Sequence, residues 1–153
     1  MRGPAAVQII DYLFDLLERA EVADSVVRGE TDPQELEDRT RANVLLRGDD
    51  AFPELSVLGA EGRALEIDIR IGCRGDGRES AAEGAKAVSA AVEAVLSAND
   101  GVHVVGVVPV LAERVGDLVE AESDEQHHDV ALLDLQYTIL HRIAPGEPNT
   151  LVR

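Results

Sequence analysis

The sequence predicts an α+β fold, a mostly antiparallel sheet of about four to five strands with two main helices packed on one face. Three observations carry that expectation: two segments with apolar residues at helical spacing, one run that alternates apolar and polar residues, and two Val- and Leu-rich runs after the second helix.

In residues 4–27, Val7, Ile10, Leu13, Phe14, Leu17 and Ala20 recur at helical spacing, with Asp11, Asp15, Glu18 and Arg19 mostly opposite. This is an amphipathic helix that Gly29 ends. Residues 30–41 are polar and read as a connector, in which Thr31-Asp32-Pro33 opens a short further helical turn. The apolar runs 43–47 and 54–58, broken by Gly48-Asp49-Asp50 and Pro53, suit two short strands or one interrupted strand. Ala60-Glu61-Gly62 marks a hairpin turn.

Leu65, Ile67, Ile69, Ile71 and Cys73 then alternate with Glu66, Asp68, Arg70 and Gly72, the period of a strand with one wet face. Arg74-Gly75-Asp76-Gly77 stops it, and residues 79–98 form the second helix, with Ala81, Ala85, Val88, Val92, Val95 and Leu96 on one stripe. Asn99-Asp100-Gly101 ends the helix. Long strands follow at 102–115 and 130–143, where Leu133, Leu135, Tyr137 and Ile139 alternate with Asp134, Gln136 and Thr138. The acidic stretch 116–129 between them reads as a loop or hairpin tip. Pro145-Gly146-Glu147-Pro148 reads as unable to continue a strand, so the expected organisation is one domain over residues 1–143 and an extended tail over 144–153. The polar sheet face, with Glu66, Asp68, Asp134, Gln136 and Thr138, meets water or another subunit.

A chain of 153 residues can bury one sizeable core, and 45% hydrophobic but only 3% aromatic residues make that core aliphatic. Thirty acidic against fourteen basic residues give a formal charge of −16, which disfavours gripping nucleic acid. Lys86 is the only lysine. That bias fits either a cytoplasm of molar salt, where the Debye length shrinks to ~3 Å, or a GC-rich genome. Cys73, the single cysteine, permits no intrachain disulfide, and no leader-like or membrane-spanning run is evident, so a soluble, unprocessed chain is expected.

Chemistry finds no anchor. His127-His128 beside Asp124, Glu125 and Asp129 could offer a metal ligands, but adjacent side chains diverge and only His103 and His141 remain to complete a site, so a solvated acidic loop is preferred. Gly75-Asp76-Gly77 lacks the Gly-Lys-Ser/Thr ending of a phosphate loop, and Arg74-Gly75-Asp76 matches an adhesion tripeptide by chance. Cys73 continues an apolar phase and reads as a buried thiol. No acid and base pair stands out among so many carboxylates. The expectation is a protein that is not an enzyme, with no catalytic residue, metal or cofactor; a small-molecule enzyme would instead need a deep pocket lined by Cys73 and a histidine.

The order of elements resembles the tail-terminator family of long-tailed viruses. The resemblance lies in the amphipathic helix Val7 to Ala20, the strand Leu65-Glu-Ile-Asp-Ile-Arg-Ile71, the Gly-rich turn and the helix Ala81 to Ala98. It continues through the Val-rich strand, the acidic loop, and His128-Asp-Val-Ala-Leu-Leu-Asp-Leu-Gln-Tyr-Thr-Ile139. It is one of pattern, without a shared catalytic motif, and the segment 30–53 is longer and more polar than the family's.

The resemblance implies a virion component in the tail or neck, assembled in the host cytoplasm as a homohexameric ring that caps the tail tube and joins it to the neck connector. Its partners would be its own copies, the tail-tube protein and a neck or connector protein, with no membrane, and with DNA sliding through a negative lumen without specific binding. A haloarchaeal virus would join this resemblance to the acidity. Contacts are expected at sheet edges, the 116–129 loop and the 144–153 tail, with Asp117, Leu118, Val119, Pro145, Pro148 and Leu151 as candidates. The alternatives are a neighbouring neck or tail-completion component, or a non-viral adaptor that binds one protein partner through the same fold.

Overall fold

The computed structural model describes residues 4–29, 38–98, 112–115, 118–123 and 129–152. Helix α1 (Ala5–Arg19) buries Ala6, Ile9, Ile10, Leu13 and Leu17, the stripe its 3.6-residue period lines up. It is shorter than the sequence pattern implies. Val26 and Val27, which continue the helical spacing, lie instead in strand β1 (Ser25–Arg28), which runs parallel to β2 (Thr40–Ala51). A reciprocal clasp fixes the new direction: Asp24 N–H donates to Thr40 Oγ1 at 2.8 Å, and Thr40 N–H donates to Asp24 Oδ2 at 3.2 Å. Gly29 therefore follows a strand rather than closing the helix.

Residues 43–47 belong to one long strand, since β2 absorbs Gly48 as a register shift between Leu46 and Gly48. Residues 54–58 are not a strand. They hold most of a 3-10 turn (Pro53–Leu55) and lead into a two-residue turn at Leu58-Gly59, closed by mutual backbone bonds between Val57 and Ala60 at 3.0 Å. The hairpin turn thus precedes the expected Ala60-Glu61-Gly62, because Gly59 takes the positive φ of 81° that the turn requires. Strand β3 (Glu61–Arg74) then pairs antiparallel with β2 and with β6 (Asp129–Ala144).

Helix α2 (Ala81–Ala98) starts behind a capping box, in which Glu83 N–H donates to Ser80 Oγ and Ser80 N–H to Glu83 Oε2. Its stripe Ala81, Ala85, Val88 and Val92 is buried, and Val95 and Leu96 pack beside it, as expected.

Strands β4 (Ala112–Val115), β5 (Leu118–Ser123) and β7 (Glu147–Val152) all pair antiparallel with β6 on the side away from β3. The described residues thus form one seven-stranded sheet, antiparallel except for β1 with β2, and the α+β class holds. Two expectations give way. Residues 118–123 of the supposed acidic loop are a strand, and the supposed tail is β7, tied back to β6 through the Pro145-Gly146 turn and to α1 by Gln8 Nε2 donating to the Asn149 carbonyl at 2.9 Å. The expected turn 99–101, most of the strand 102–115 and the connector 30–37 lie outside the described residues.

The core lies between the helices and one sheet face. Leu65, Ile67, Ile69, Ile71 and Cys73 are completely buried and join Ala42, Val44, Leu133, Leu135, Tyr137 and Ile139 against both helices. At roughly 1.5–3 kcal/mol for each fully buried large aliphatic side chain, this face accounts for the coherence of the fold.

Candidate assembly surface

On the opposite sheet face the register sets Asn43, Arg70 and Asp134 in one row across β2, β3 and β6, and Leu45, Asp68 and Gln136 in the next. Arg70 Nε donates to Asp134 Oδ1 at 2.9 Å, and Arg47, beside the β2 register shift, reaches Asp68 Oδ1 with Nη1 at 3.4 Å. Asp68 is 7% exposed, so this face is wet only in part. Burial pushes its carboxyl above the ordinary aspartate value, against the pull of Arg47. Paired in this way, acids and arginines neutralise one another across the strands.

At the far end of the sheet, on the helix side, Arg63 donates to Asp49 Oδ2 at 3.2 Å and lies 3.5 Å from Glu61. His141 is buried beside them. Its Nδ1 lies 3.3 Å from the Ile139 carbonyl and so carries the proton, while Nε2 has no hydrogen-bond partner and faces Asp49 Oδ1 at 3.9 Å. Burial holds the imidazole below the ordinary histidine range, and the Arg63 guanidinium adds to that.

The sheet ends in unlike edges. Among the described residues, only the four-residue β1 stands beyond β2, whereas β6 carries β5, β4 and β7 in succession along its length. Four of the six candidate contact residues fall on this second edge. Leu118 and Val119 stand opposite Leu133 and Leu132, Leu151 stands opposite Ile143, and Pro148 lies within β7. Pro145 is exposed in the β6–β7 turn, and Asp117 lies outside the described residues. Leu151 is half-buried against the core, so it serves the fold as well as any contact. Shared membership of one edge was hidden in the sequence, because it depends on which strand β5 and β7 join.

The residues weighed for chemistry are scattered. Cys73 is buried at one end of the β3–β6 ladder, opposite Ala131, where a Cβ on Gly84 of α2 would collide with its Sγ. His141 stands at the other end, opposite Arg63, about 30 Å away at strand rise. The two do not line one pocket. Asp76 Oδ1 accepts the Arg78 and Glu79 N–H groups, which hold its carboxyl below the usual range, so Arg74-Gly75-Asp76 sits in a turn that leads to α2. His103, His127 and His128 lie outside the described residues, and no group of metal-binding side chains occurs among the described ones. No helix among them is long and apolar enough to cross a membrane. Sequence reasoning missed the exposed Val57-Leu58 turn and the Asp49, Arg63 and His141 cluster; for the first, the Leu-Gly pair was the available signal.

No protein-family model matches the chain, and no curated protein does. Among solved structures, the chain is similar to one from the virion of a native gene transfer agent particle, at 19% identity and a TM-score of 0.40, over 92% of this chain and 96% of that one. A superposition this loose carries no argument about function.

Proposed function

We propose that the chain is a structural component of a virion, a tail terminator whose copies close into a ring, hexameric by resemblance, that caps the tail tube and joins it to the neck connector. The observation that carries this reading is the pair of unlike sheet edges, β1 on one side and β5, β4 and β7 on the other. A ring needs a heterologous interface, in which one patch of a subunit meets a different patch of the next, and strand edges are ready templates for such pairing. The pattern of elements that resembles tail terminators supports it, as does the charge of −16, which lets DNA pass through a lumen without adhering. On this reading the chain has no catalytic role.

The test is gold-labelled antibody against this chain on purified particles that contain it. Label confined to the junction of tail and neck is the expected result. Label elsewhere in the neck would replace the terminator by a neighbouring completion component, and a chain absent from particles would favour the cellular adaptor.

A further inference from the structure

We infer that Asp49, Arg63 and His141 form a proton-operated latch, in which a second proton taken up at His141 Nε2 is donated to Asp49 Oδ1 and ties β6 to β2 across β3. The latch does not depend on the assembly reading. Both nitrogens of the ring face oxygen acceptors: Nδ1 lies 3.3 Å from the Ile139 carbonyl, and Nε2 lies 3.9 Å from Asp49 Oδ1. A neutral imidazole has one N–H and one lone pair, so whichever nitrogen holds the proton, the other sets its lone pair against an oxygen. Only the doubly protonated ring satisfies both sides.

His141 is 1% exposed and its Nε2 has no hydrogen-bond partner, so bulk water does not relieve the mismatch. Asp49 has the capacity to receive the new bond. Its Oδ2 accepts from Arg63 Nη2 at 3.2 Å, while Oδ1 is held by Arg63 Nε at a long 3.5 Å. The register sets Arg63 opposite His141, and Asp49 opposite Leu65, two residues further along β3. With the ring neutral, the carboxylate joins β2 to β3; the imidazolium extends that join to β6.

Among the described residues, the charged groups that act on the ring are Asp49 from β2 and Arg63 from β3. Glu61 of β3 reaches it through Arg63, whose Nη1 lies 3.5 Å away, and Arg142, next along β6, donates instead to the Leu55 carbonyl. With the second proton bound, Asp49 and Glu61 balance Arg63 and His141. Burial and Arg63 oppose the charge and Asp49 favours it, so the folded chain takes the proton below the ordinary histidine range, and the carboxylate limits how far below. A metal ion is disfavoured in the same gap, because Arg63 already brings a positive charge to Asp49, and His141 with Asp49 supplies only two ligands.

The experiment follows the imidazole nitrogen and proton NMR signals of the full chain as pH falls in molar KCl, with the His141 signals assigned by their loss in His141→Gln. The titration is repeated on Asp49→Asn and Arg63→Gln. The latch predicts a proton on Nδ1 alone at alkaline pH and protons on both nitrogens once the ring titrates. It also predicts a midpoint that moves down in Asp49→Asn and up in Arg63→Gln. Damage to the fold cannot mimic the downward shift, since opening the site to water would raise the midpoint toward the ordinary histidine range. A proton on Nε2 alone at alkaline pH, or a ring that stays neutral until the chain unfolds, would overturn the latch. So would a midpoint that is unchanged or raised in Asp49→Asn, or unchanged or lowered in Arg63→Gln.

Discussion

Replacing Gly62 by alanine should be among the most damaging single-methyl additions the chain can suffer. A Cβ at this position would collide with the Phe52 carbonyl oxygen and with the Leu55 backbone and Cβ. Two of these are main-chain atoms that cannot rotate aside. Phe52 N–H also donates to the Gly62 carbonyl and Gly62 N–H to Ser56 Oγ, so relief of the clash must stretch these bonds of 2.8 and 2.9 Å. Overpacking of this kind costs roughly 1–3 kcal/mol, and one weakened hydrogen bond adds about 1 kcal/mol, so the substitution should cost about 3 kcal/mol. In a domain of this size that lowers Tm by on the order of 6–12 °C. Gly77→Ala is the control: it has φ of +86° but open space around its Cβ, and should cost only about 1 kcal/mol of backbone strain. Urea unfolding of both variants in the same KCl buffer gives the comparison. Gly62→Ala within about 0.5 kcal/mol of the parent, a surface-like effect, or no worse than Gly77→Ala, would refute the close approach of Phe52 and Leu55 to Gly62.

Three further outcomes are expected. His141 has a folded-state pKa depressed by burial, so the unfolded chain binds the extra proton first; stability is full above its ordinary value of 6.5 and falls as pH drops below it, and His141→Leu should flatten urea midpoints over that window. Leu151→Ala should cost about 1–2 kcal/mol, since the side chain is half-buried against the core, and an unfolding midpoint identical to the parent would mean that β7 does not belong to the sheet. Thermal stability should rise steeply from dilute to molar KCl, because salt screens a formal charge of −16; a salt-independent melting curve would remove halophily from the account.

What could be read in the sequence was what local periodicity determines. The alternation from Leu65 to Cys73 survives because both neighbours of β3 bury the same face, and all five apolar residues are inaccessible to water. The stripe on α2 held for the same reason. Val26 and Val27 misled because two valines after a helix continue its spacing, and only pairing with Ala42 and Asn43 makes them a strand. Pro145 and Pro148 argued against β7, yet a proline costs an edge strand little. The acids of 118–123 suggested a loop, although Leu118 and Val119 had room to pair with β6.

The candidate surface was legible in composition but not in partnership. Asp68 and Asp134 could be assigned to the polar face by parity. That Arg70 would meet Asp134, and Arg47 would meet Asp68, follows from a register that no local pattern encodes. The Leu58-Gly59 turn was missed because Gly62 attracted the turn assignment, whereas its role is to let the 3-10 turn approach closely.

The central claim, that copies of this chain assemble through unlike sheet edges into a closed ring, is tested most directly by the native mass in molar KCl, from light scattering with negative-stain images of the same fraction. The account predicts closed rings with a mass six times the 16.4 kDa of the chain. A single 16.4 kDa species at every concentration, with no rings in stain, would contradict it.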